Sequence, residues 1–256
     1  MSLLERVVNR ATGINPESDG IKWYSVACFE AFARMDWLLH RTSYRGIHLP
    51  STGPALIVSN HTSMWDTAKG YRMGQQSKRI IRTFTRASLL DPETMESKSV
   101  LARTGHKSDI LNSSPRWLKH IIAAIPQGVE AIPVARGGEI RDIRNFLKKG
   151  RERLEAGLLV GIFVQETRHK DGKLADLMRG VELLARDNPD VPIYPAGISA
   201  RIPHRVSIGK PFTYRQAKDN FMIFLGDSIA NQLDPEIIND WYVNQRPSLL
   251  LKTKLP

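Results

Sequence analysis

The chain has 256 residues, of which 41% are hydrophobic, so it is long and apolar enough to form a folded core and is unlike a disordered segment. Its formal net charge of +11 favours a polyanionic partner: nucleic acid, an anionic membrane or a phosphorylated substrate. Cys28 is the single cysteine, which excludes an internal disulfide and fits a reducing compartment. We expect no signal peptide, because residues 1–9 lack a long apolar core.

An apolar stripe near the amino terminus predicts an amphipathic helix. Its members recur at helical spacing and are Tyr24, Cys28, Phe32, Met35 and Leu39. The same stretch carries Glu30, Arg34 and Asp36, so we expect it not to span a membrane. Two interpretations remain open: the stripe packs against the rest of the domain, or it lies in the headgroup region of a bilayer.

Five short apolar runs further along the chain predict buried strands. They cover residues 55–58, 131–134, 158–164, 191–198 and 206–208. Two helical patterns lie between them: one from Ile140 to Leu154, ended by Gly157, and one through Leu174, Leu177, Val181 and Leu184. This alternation predicts an α/β fold with a mixed, largely parallel central sheet flanked by helices and preceded by the N-terminal amphipathic helical segment. For residues 89–126 we expect one or two helices plus a loop, over or beside the functional site.

A histidine and a carboxylate closely follow the first predicted strand. Residues 60–66 read Asn-His-Thr-Ser-Met-Trp-Asp. Neutral histidine can accept a proton near pH 7, and a carboxylate on its other ring nitrogen fixes the tautomer. Neither an extended chain nor a continuous helix brings His61 to Asp66, so we expect a turn, with Asp66 near the start of a helix that Thr62 or Ser63 caps. The alternative is a solvated loop histidine with Asp66 capping a helix.

Polar residues also follow other predicted strands, and ligands of open α/β sheets bind beyond the carboxyl ends of strands. Arg136 and Gly137 follow the second run, Arg168 follows the third, and Pro195 lies in the fourth. Arginine is suited to phosphate, so the set suggests a base that activates a substrate hydroxyl beside a phosphate. The plainer alternatives are an ordinary turn, a solvated loop arginine and an edge-strand proline.

In order along the chain, these blocks resemble the glycerolipid acyltransferase family, whose members include 1-acyl-glycerol-3-phosphate acyltransferases. Residues 60–66 match its first block, an asparagine followed by H-x4-D, and residues 132–138 resemble its second, an apolar strand ending in an arginine and a small residue. Residues 163–168 lie where the family has its third block, commonly F-P-E-G-T-R, and residues 191–195 are similar to its fourth. The likeness covers about residues 40–215.

The resemblance implies an O-acyltransferase that moves a fatty acyl group from acyl-CoA or acyl-carrier protein to the hydroxyl of a lysophospholipid or related monoacyl lipid. It implies His61 as general base and Asp66 as its partner. The substrate-binding residues that it implies are Asn60, Ser63, Arg136, Gly137, Glu166, Thr167, Arg168 and Pro195. It implies no cofactor and no metal, an anionic membrane surface as partner, and a peripheral position on the cytoplasmic side of the membrane.

The resemblance also divides the chain into three parts. The acyltransferase domain spans residues 45–215. An N-terminal helical, membrane-interfacial segment precedes it over residues 1–44, and a C-terminal extension over residues 216–256 packs on it.

The third block departs from the family pattern, because Val164, Gln165 and Glu166 stand where the family has proline, glutamate and glycine. Glycine permits close backbone approach to a phosphate, whereas Glu166 adds bulk and negative charge. The acceptor therefore need not be lysophosphatidic acid: an amino-acid-containing or sugar lipid is one alternative, and a rearranged loop in which Glu166 takes the usual role is another. Trp65 is bulky for its place in the first block and is expected to narrow the acyl or acceptor site.

Two other functions stay open. One is a basic nucleic-acid-binding module, although we expect no nucleic acid partner because the 7% of aromatic residues show no interleaved stacking pattern. The other is a family member that binds lipid without catalysis.

Overall fold

The computed structural model describes residues 3–15, 20–91, 116–134, 140–165, 168–169, 171–174, 177–247 and 249. A seven-stranded sheet lies at the centre of the fold. Its strands are β1 Ser43–Gly46, β2 Ala55–Ser59, β3 Ile81–Arg86, β4 Ile132–Val134, β5 Leu159–Phe163, β6 Ile193–Ile198 and β7 Arg205–Ile208. All five predicted runs form strands. β1 and β3 were not predicted, because arginines and hydroxyl residues interrupt their apolar positions.

Nine α-helices are described. They are α1 Leu3–Thr12, α2 Trp23–His40, α3 Asp66–Gln75, α4 Arg116–Gly128, α5 Ile140–Glu155, α6 Gly180–Asp187, α7 Tyr214–Ala217, α8 Phe221–Ala230 and α9 Pro235–Asp240. Short 3-10 turns cover Ala87–Leu89 and Lys218–Asn220, and a π-helix covers Trp241–Gln245. Gly157 follows α5 with a φ of 75°, as its predicted role in ending that helix requires. The second predicted helical stripe is wrong in part: Leu174 and Leu177 precede α6 and lie in its entry loop.

The sheet is mixed and largely parallel, as predicted. Its strand order is β1-β7-β6-β2-β5-β3-β4. The five strands from β6 to β4 run parallel to one another, β7 is antiparallel to β6, and β1 is parallel to β7. The carboxyl ends of β6, β2 and β5 therefore lie side by side, whereas β1 and β4 are the edge strands.

Successive residues of the central strands face opposite sides of the sheet, as strand geometry requires. Leu56 and Val58 join one hydrophobic cluster, which also contains residues from α6 and α8. Ala55 and Ile57 join a second cluster on the other face, with Met73 of α3. Hydrophobic residues on both faces explain why β2 is a continuous apolar run rather than an alternating one.

A third hydrophobic cluster lies among the helices that include α1, α2 and α3. The buried face of α2 consists of Ser25, Val26, Phe29, Glu30, Ala33 and Asp36. The apolar stripe predicted for this helix is therefore not its packing face: Cys28 and Phe32 are half-buried, and the other three members are exposed. Polar partners explain the difference, because Glu30 and Asp36 turn inward to bind Tyr71 and Thr42.

The carboxyl-terminal turns of α2 place large apolar side chains on the surface. Trp37 is 62% exposed, Leu38 71% and Leu39 55%. Among the described residues, no helix combines the length and the apolar composition needed to cross a bilayer.

Candidate active site

His61 and Asp66 meet at the carboxyl end of β2. His61 lies in the loop that leaves the strand, and Asp66 is the first residue of α3. The chain turns between them, so that Nδ1 of His61 lies 2.8 Å from Oδ2 of Asp66. Asp66 is fully buried, whereas part of the His61 side chain reaches the surface. This geometry agrees with the predicted turn and not with the alternative of a solvated loop histidine.

The Asp66 carboxylate is surrounded by hydrogen-bond donors. Its Oδ2 accepts the backbone N–H groups of Thr62 at 2.6 Å and Ser63 at 2.9 Å. Its Oδ1 accepts the hydroxyl groups of the same two residues at 2.9 and 3.1 Å. Burial alone would raise the pKa of Asp66, but the hydrogen bond from His61, the charge of Lys69 and the Ser63 N–H outweigh it and bring the pKa to about 2.

The predicted cap of α3 is wrong. The N-cap position is Trp65, and neither Thr62 nor Ser63 occupies it. Both side chains bind Asp66 instead, so Ser63 orients the carboxylate, and its predicted contact with a substrate stays a prediction.

The imidazole of His61 is held on three sides. An ionised carboxylate can only accept a hydrogen bond, so Nδ1 carries the proton and Nε2 keeps its lone pair. Nε of Arg168 donates to this Nε2 at 3.1 Å. The ring of Phe163, the last residue of β5, stacks on the imidazole at a centroid distance of 4.2 Å and an angle of 16°. The arrangement presents a basic nitrogen beside a guanidinium on the exposed side of the site.

Gln165 is buried, and both ends of its amide are engaged. Its Oε1 accepts the backbone N–H of His61 at 2.9 Å, and its Nε2 donates to the backbone carbonyl of Lys173 at 2.8 Å. Gln165 therefore fixes the His61 loop to the segment after β5. A glutamine can donate to the Lys173 carbonyl where an ionised glutamate could not; the identity of the acceptor stays a prediction.

Asn60 has a similar structural role. It is fully buried, its Nδ2 donates to the backbone oxygen of Ile198 at 2.9 Å, and its Oδ1 accepts the Ile198 N–H at 2.8 Å. The side chain thus joins the ends of β2 and β6. Ile198 thus engages both polar groups of the Asn60 side chain, and substrate binding by Asn60 stays a prediction.

Pro195 lies within β6, in register with Val58 of β2. It is buried and belongs to a central strand, not to an edge strand as the alternative interpretation had it. Its carbonyl accepts the N–H of Gly209, just outside the ladder that β6 forms with β7 from Ala196 onward. The missing N–H of proline therefore costs no ladder hydrogen bond, and Pro195 offers little surface to a substrate.

Trp65 packs against α2. Its indole stacks on Phe32 of α2 at 4.4 Å and 18° and meets His40 edge-on at 5.2 Å. That Trp65 narrows the acyl or acceptor site stays a prediction. Trp65 connects the H-x4-D segment to α2.

Four of the predicted substrate-binding residues lie outside the described residues: Arg136, Gly137, Glu166 and Thr167. The same is true of residues 92–115 within the long connection, whose described part contains α4.

Sequence reasoning missed Lys69 and Asp36. Lys69 is fully buried and lies 3.5 Å from Oδ1 of Asp66 and 3.6 Å from Oδ1 of Asp36. The i, i+3 spacing from Asp66 to Lys69 was a usable signal once α3 was known to begin at Asp66. Asp36 gave no such signal, because its partners come from other parts of the chain.

Among the described residues, one group of side chains has the donor atoms that could hold a metal ion. Donor atoms of Asp36, His40 and His204 lie within 4.8 Å of one another. The two imidazoles, however, stack 4.5 Å apart and 8° from parallel, and an ion bound by both would have to lie in two ring planes that do not meet there. The Lys69 ammonium is already next to Asp36. The residues as arranged do not fit a metal.

No protein-family model matches the sequence, and no curated protein matches it. Among solved structures, the chain is similar to the 1-acyl-sn-glycerophosphate (LPA) acyltransferase PlsC from Thermotoga maritima, with 15% sequence identity and a TM-score of 0.48. The similarity covers 79% of this chain and 76% of that chain. At this identity and TM-score it does not decide the function, which we infer from the geometry of the site.

Proposed function

We propose that the protein is an acyltransferase that moves a fatty acyl group from an acyl thioester to the hydroxyl of a lysophospholipid or related monoacyl lipid. The observation that carries this proposal is the His61–Asp66 pair: Nδ1 is bound to a buried, ionised carboxylate, and Nε2 is presented on the exposed side of the site. A base oriented in this way can deprotonate a hydroxyl.

The reaction then runs without an acyl-enzyme intermediate. The acceptor hydroxyl donates to Nε2 of His61, and its oxygen attacks the thioester carbonyl while the proton moves to Nε2. Asp66 stabilises the imidazolium that forms. When the tetrahedral intermediate collapses, the C–S bond breaks and the leaving sulfur takes the proton from His61, which yields a new ester and a free thiol. Acyl-CoA and acyl-carrier protein are the proposed donors, and the reaction needs no cofactor.

Arg168 is proposed to bind the phosphate of the acceptor. Its guanidinium lies next to Nε2, so a phosphate beside the reacting hydroxyl would be within its reach, and arginine binds phosphate in a planar fork. An acceptor must take the place of Arg168 on Nε2, and its phosphate would draw the guanidinium aside. The family resemblance adds Arg136, Gly137, Glu166 and Thr167 as further proposed contacts.

We further propose a peripheral position at an anionic membrane surface, on the cytoplasmic side. The exposed Trp37, Leu38 and Leu39 of α2 could enter the headgroup region of a bilayer, and the net charge of +11 favours anionic lipids. A lipid acceptor would then reach the site from the surface in which it resides.

The experiment that tests this function measures free-thiol release. Acyl-CoA or acyl-carrier protein is incubated with monoacyl lipids that carry phosphate, zwitterionic, sugar or amino-acid headgroups, and the product is identified by mass spectrometry. Acceptor-dependent release with a diacyl product supports the proposal. Lipid binding without turnover over the whole panel would instead identify a non-catalytic lipid-binding protein, and DNA binding at physiological salt without turnover would identify a basic nucleic-acid-binding module.

A further inference from the structure

The His61–Asp66 pair continues into the interior of the protein through a buried lysine. Lys69 lies one helical turn after Asp66 on α3, and its side chain has no exposed surface. Its Nζ lies between two carboxylates, 3.5 Å from Asp66 and 3.6 Å from Asp36. Burying an ammonium group is costly unless it is paired, and the two carboxylates supply that pairing.

Asp36 reaches this lysine from a different helix, α2. Its Oδ2 accepts the hydroxyl of Thr42 at 2.7 Å, and its Oδ1 lies 3.0 Å from Nδ1 of His40. These contacts orient the carboxylate toward α3. Lys69 is therefore shared between the carboxylate that faces His61 and a second one that does not.

We propose that Lys69 and Asp36 are positioning residues that set the proton affinity of His61. Lys69 neutralises part of the negative charge of Asp66. Asp36 binds the same ammonium group and thereby reduces this neutralisation. Asp36, Lys69, Asp66 and His61 form a chain of charged contacts. This chain of contacts adjusts how strongly the imidazole holds the proton that it takes from a hydroxyl. The importance of this chain for catalysis rests on the proposed function, but its effect on the His61 ring does not.

The charged and titratable groups around this chain come from several elements. Arg168 contacts the exposed side of His61 from the segment after β5. His40 of α2 and His204, from the connection between β6 and β7, stack on each other beside Asp36. Burial, followed by the charge of Lys69, lowers the pKa of His204 to about 4, so this ring is neutral around pH 7. The substitutions below leave Arg168, His40 and His204 in place, but Lys69→Met removes a charge that lowers the pKa of His204, and Asp36→Asn changes the partner of His40.

We expect substitutions of the two positioning residues to shift the midpoint of the His61 titration in opposite directions. In Lys69→Met, the Asp66 carboxylate loses its cation, the protonated form of His61 is favoured, and the midpoint of the His61 titration rises by about 0.5–1 pH unit. In Asp36→Asn, Lys69 is left to Asp66 alone, and the midpoint falls by a smaller amount, because Asp36 is farther from His61. The double variant removes one charge of each sign, and its midpoint returns most of the way to the wild-type value.

The test is an NMR titration of the His61 ring, assigned by its absence in His61→Ala, in the wild type, both single variants and the double variant. The exposed Lys148→Met on α5 serves as the matched control. Opposite shifts of the single variants with a near-normal double variant support the proposal. Should Lys69→Met not fold, a fall in Asp36→Asn together with a near-normal double variant supports it equally. An unchanged midpoint in the folded variants would overturn it, because a purely structural role lowers stability without moving the titration. Absence of acyl transfer in a protein that shows these shifts would contradict the proposed function alone.

Discussion

The backbone N–H of His61 donates a 2.9 Å hydrogen bond to the side-chain oxygen of Gln165. The other end of the same amide donates to the carbonyl of Lys173, and the residue is only 3% exposed. The loop after β2 and the segment after β5 are thus joined by one buried side chain. A glutamine suits this place because one end must accept and the other must donate.

Gln165→Glu restores the residue that the family usually has and is nevertheless expected to harm this protein. The carboxylate would still accept from His61, but it would face the Lys173 carbonyl without a proton to donate. We expect the free energy of unfolding to fall by about 1–3 kcal/mol, measured by urea denaturation at pH 7. The exposed Gln76→Glu is the matched control and should change stability little. An equally stable Gln165→Glu protein with a changed acceptor preference would show that this residue contacts the substrate after all.

Asn60 is a second side chain that joins two parts of the fold, the ends of β2 and β6. Asn60→Ala leaves the buried N–H and carbonyl of Ile198 unpaired, so we expect a loss of about 2–4 kcal/mol in the free energy of unfolding. Urea denaturation measures this loss, and the exposed Asn244→Ala provides the comparison. If Asn60→Ala lost acceptor binding at unchanged stability, the assignment of Asn60 to the fold would be wrong.

The sequence was sufficient for five of the seven strands and for the turn that joins His61 and Asp66. Both depend on local signals: apolar runs for those strands, and a short spacing after β2 for the pair. It was not sufficient for the roles of Asn60 and Gln165. Their partners, Ile198 and Lys173, are backbone groups brought near by the fold, and no side-chain pattern indicates them. For the stripe on α2 the sequence left two environments open, packing on the domain or contact with a bilayer. Most of the stripe lies off the packing face, because the inward face of that helix is partly charged.

We expect the folded protein to lose stability in mild acid because of His204. Burial and the charge of Lys69 lower its pKa from 6.5 to about 4, so the unfolded chain takes up this proton at a higher pH than the folded protein does. Its contribution is complete above about pH 6.5 and is lost as the pH falls toward 4, by about 1–2 kcal/mol. Urea denaturation between pH 7 and 4 should show this loss in the wild type and a smaller one in His204→Phe, which keeps a ring against His40. The exposed His120→Phe should retain the wild-type slope, and an equal slope in His204→Phe would contradict the prediction.

We expect the protein to bind membranes through the exposed end of α2, and this binding to depend on both apolar contact and charge. Replacing Trp37, Leu38 and Leu39 together by serine removes large side chains that could each contribute about 1.5–3 kcal/mol when fully buried. We expect binding to anionic vesicles to weaken at least about tenfold in sedimentation assays and binding of the wild type to weaken with added salt. Val243→Ser removes a similarly exposed apolar residue elsewhere and should bind like the wild type. Undiminished binding of the triple variant would assign the membrane contact to another surface.

The most direct test of the account compares thiol release by the wild type, His61→Ala and Asp66→Asn, with the acceptor that supports the highest turnover. We expect His61→Ala to lose acyl transfer by about 10²–10⁴-fold while its circular dichroism spectrum and melting temperature stay close to those of the wild type, because the imidazole is partly exposed and is not a core residue. Asp66→Asn should fall by orders of magnitude as well, since an amide no longer fixes the Nδ1–H tautomer. Full activity in folded His61→Ala would contradict the central claim that this imidazole deprotonates the acceptor hydroxyl.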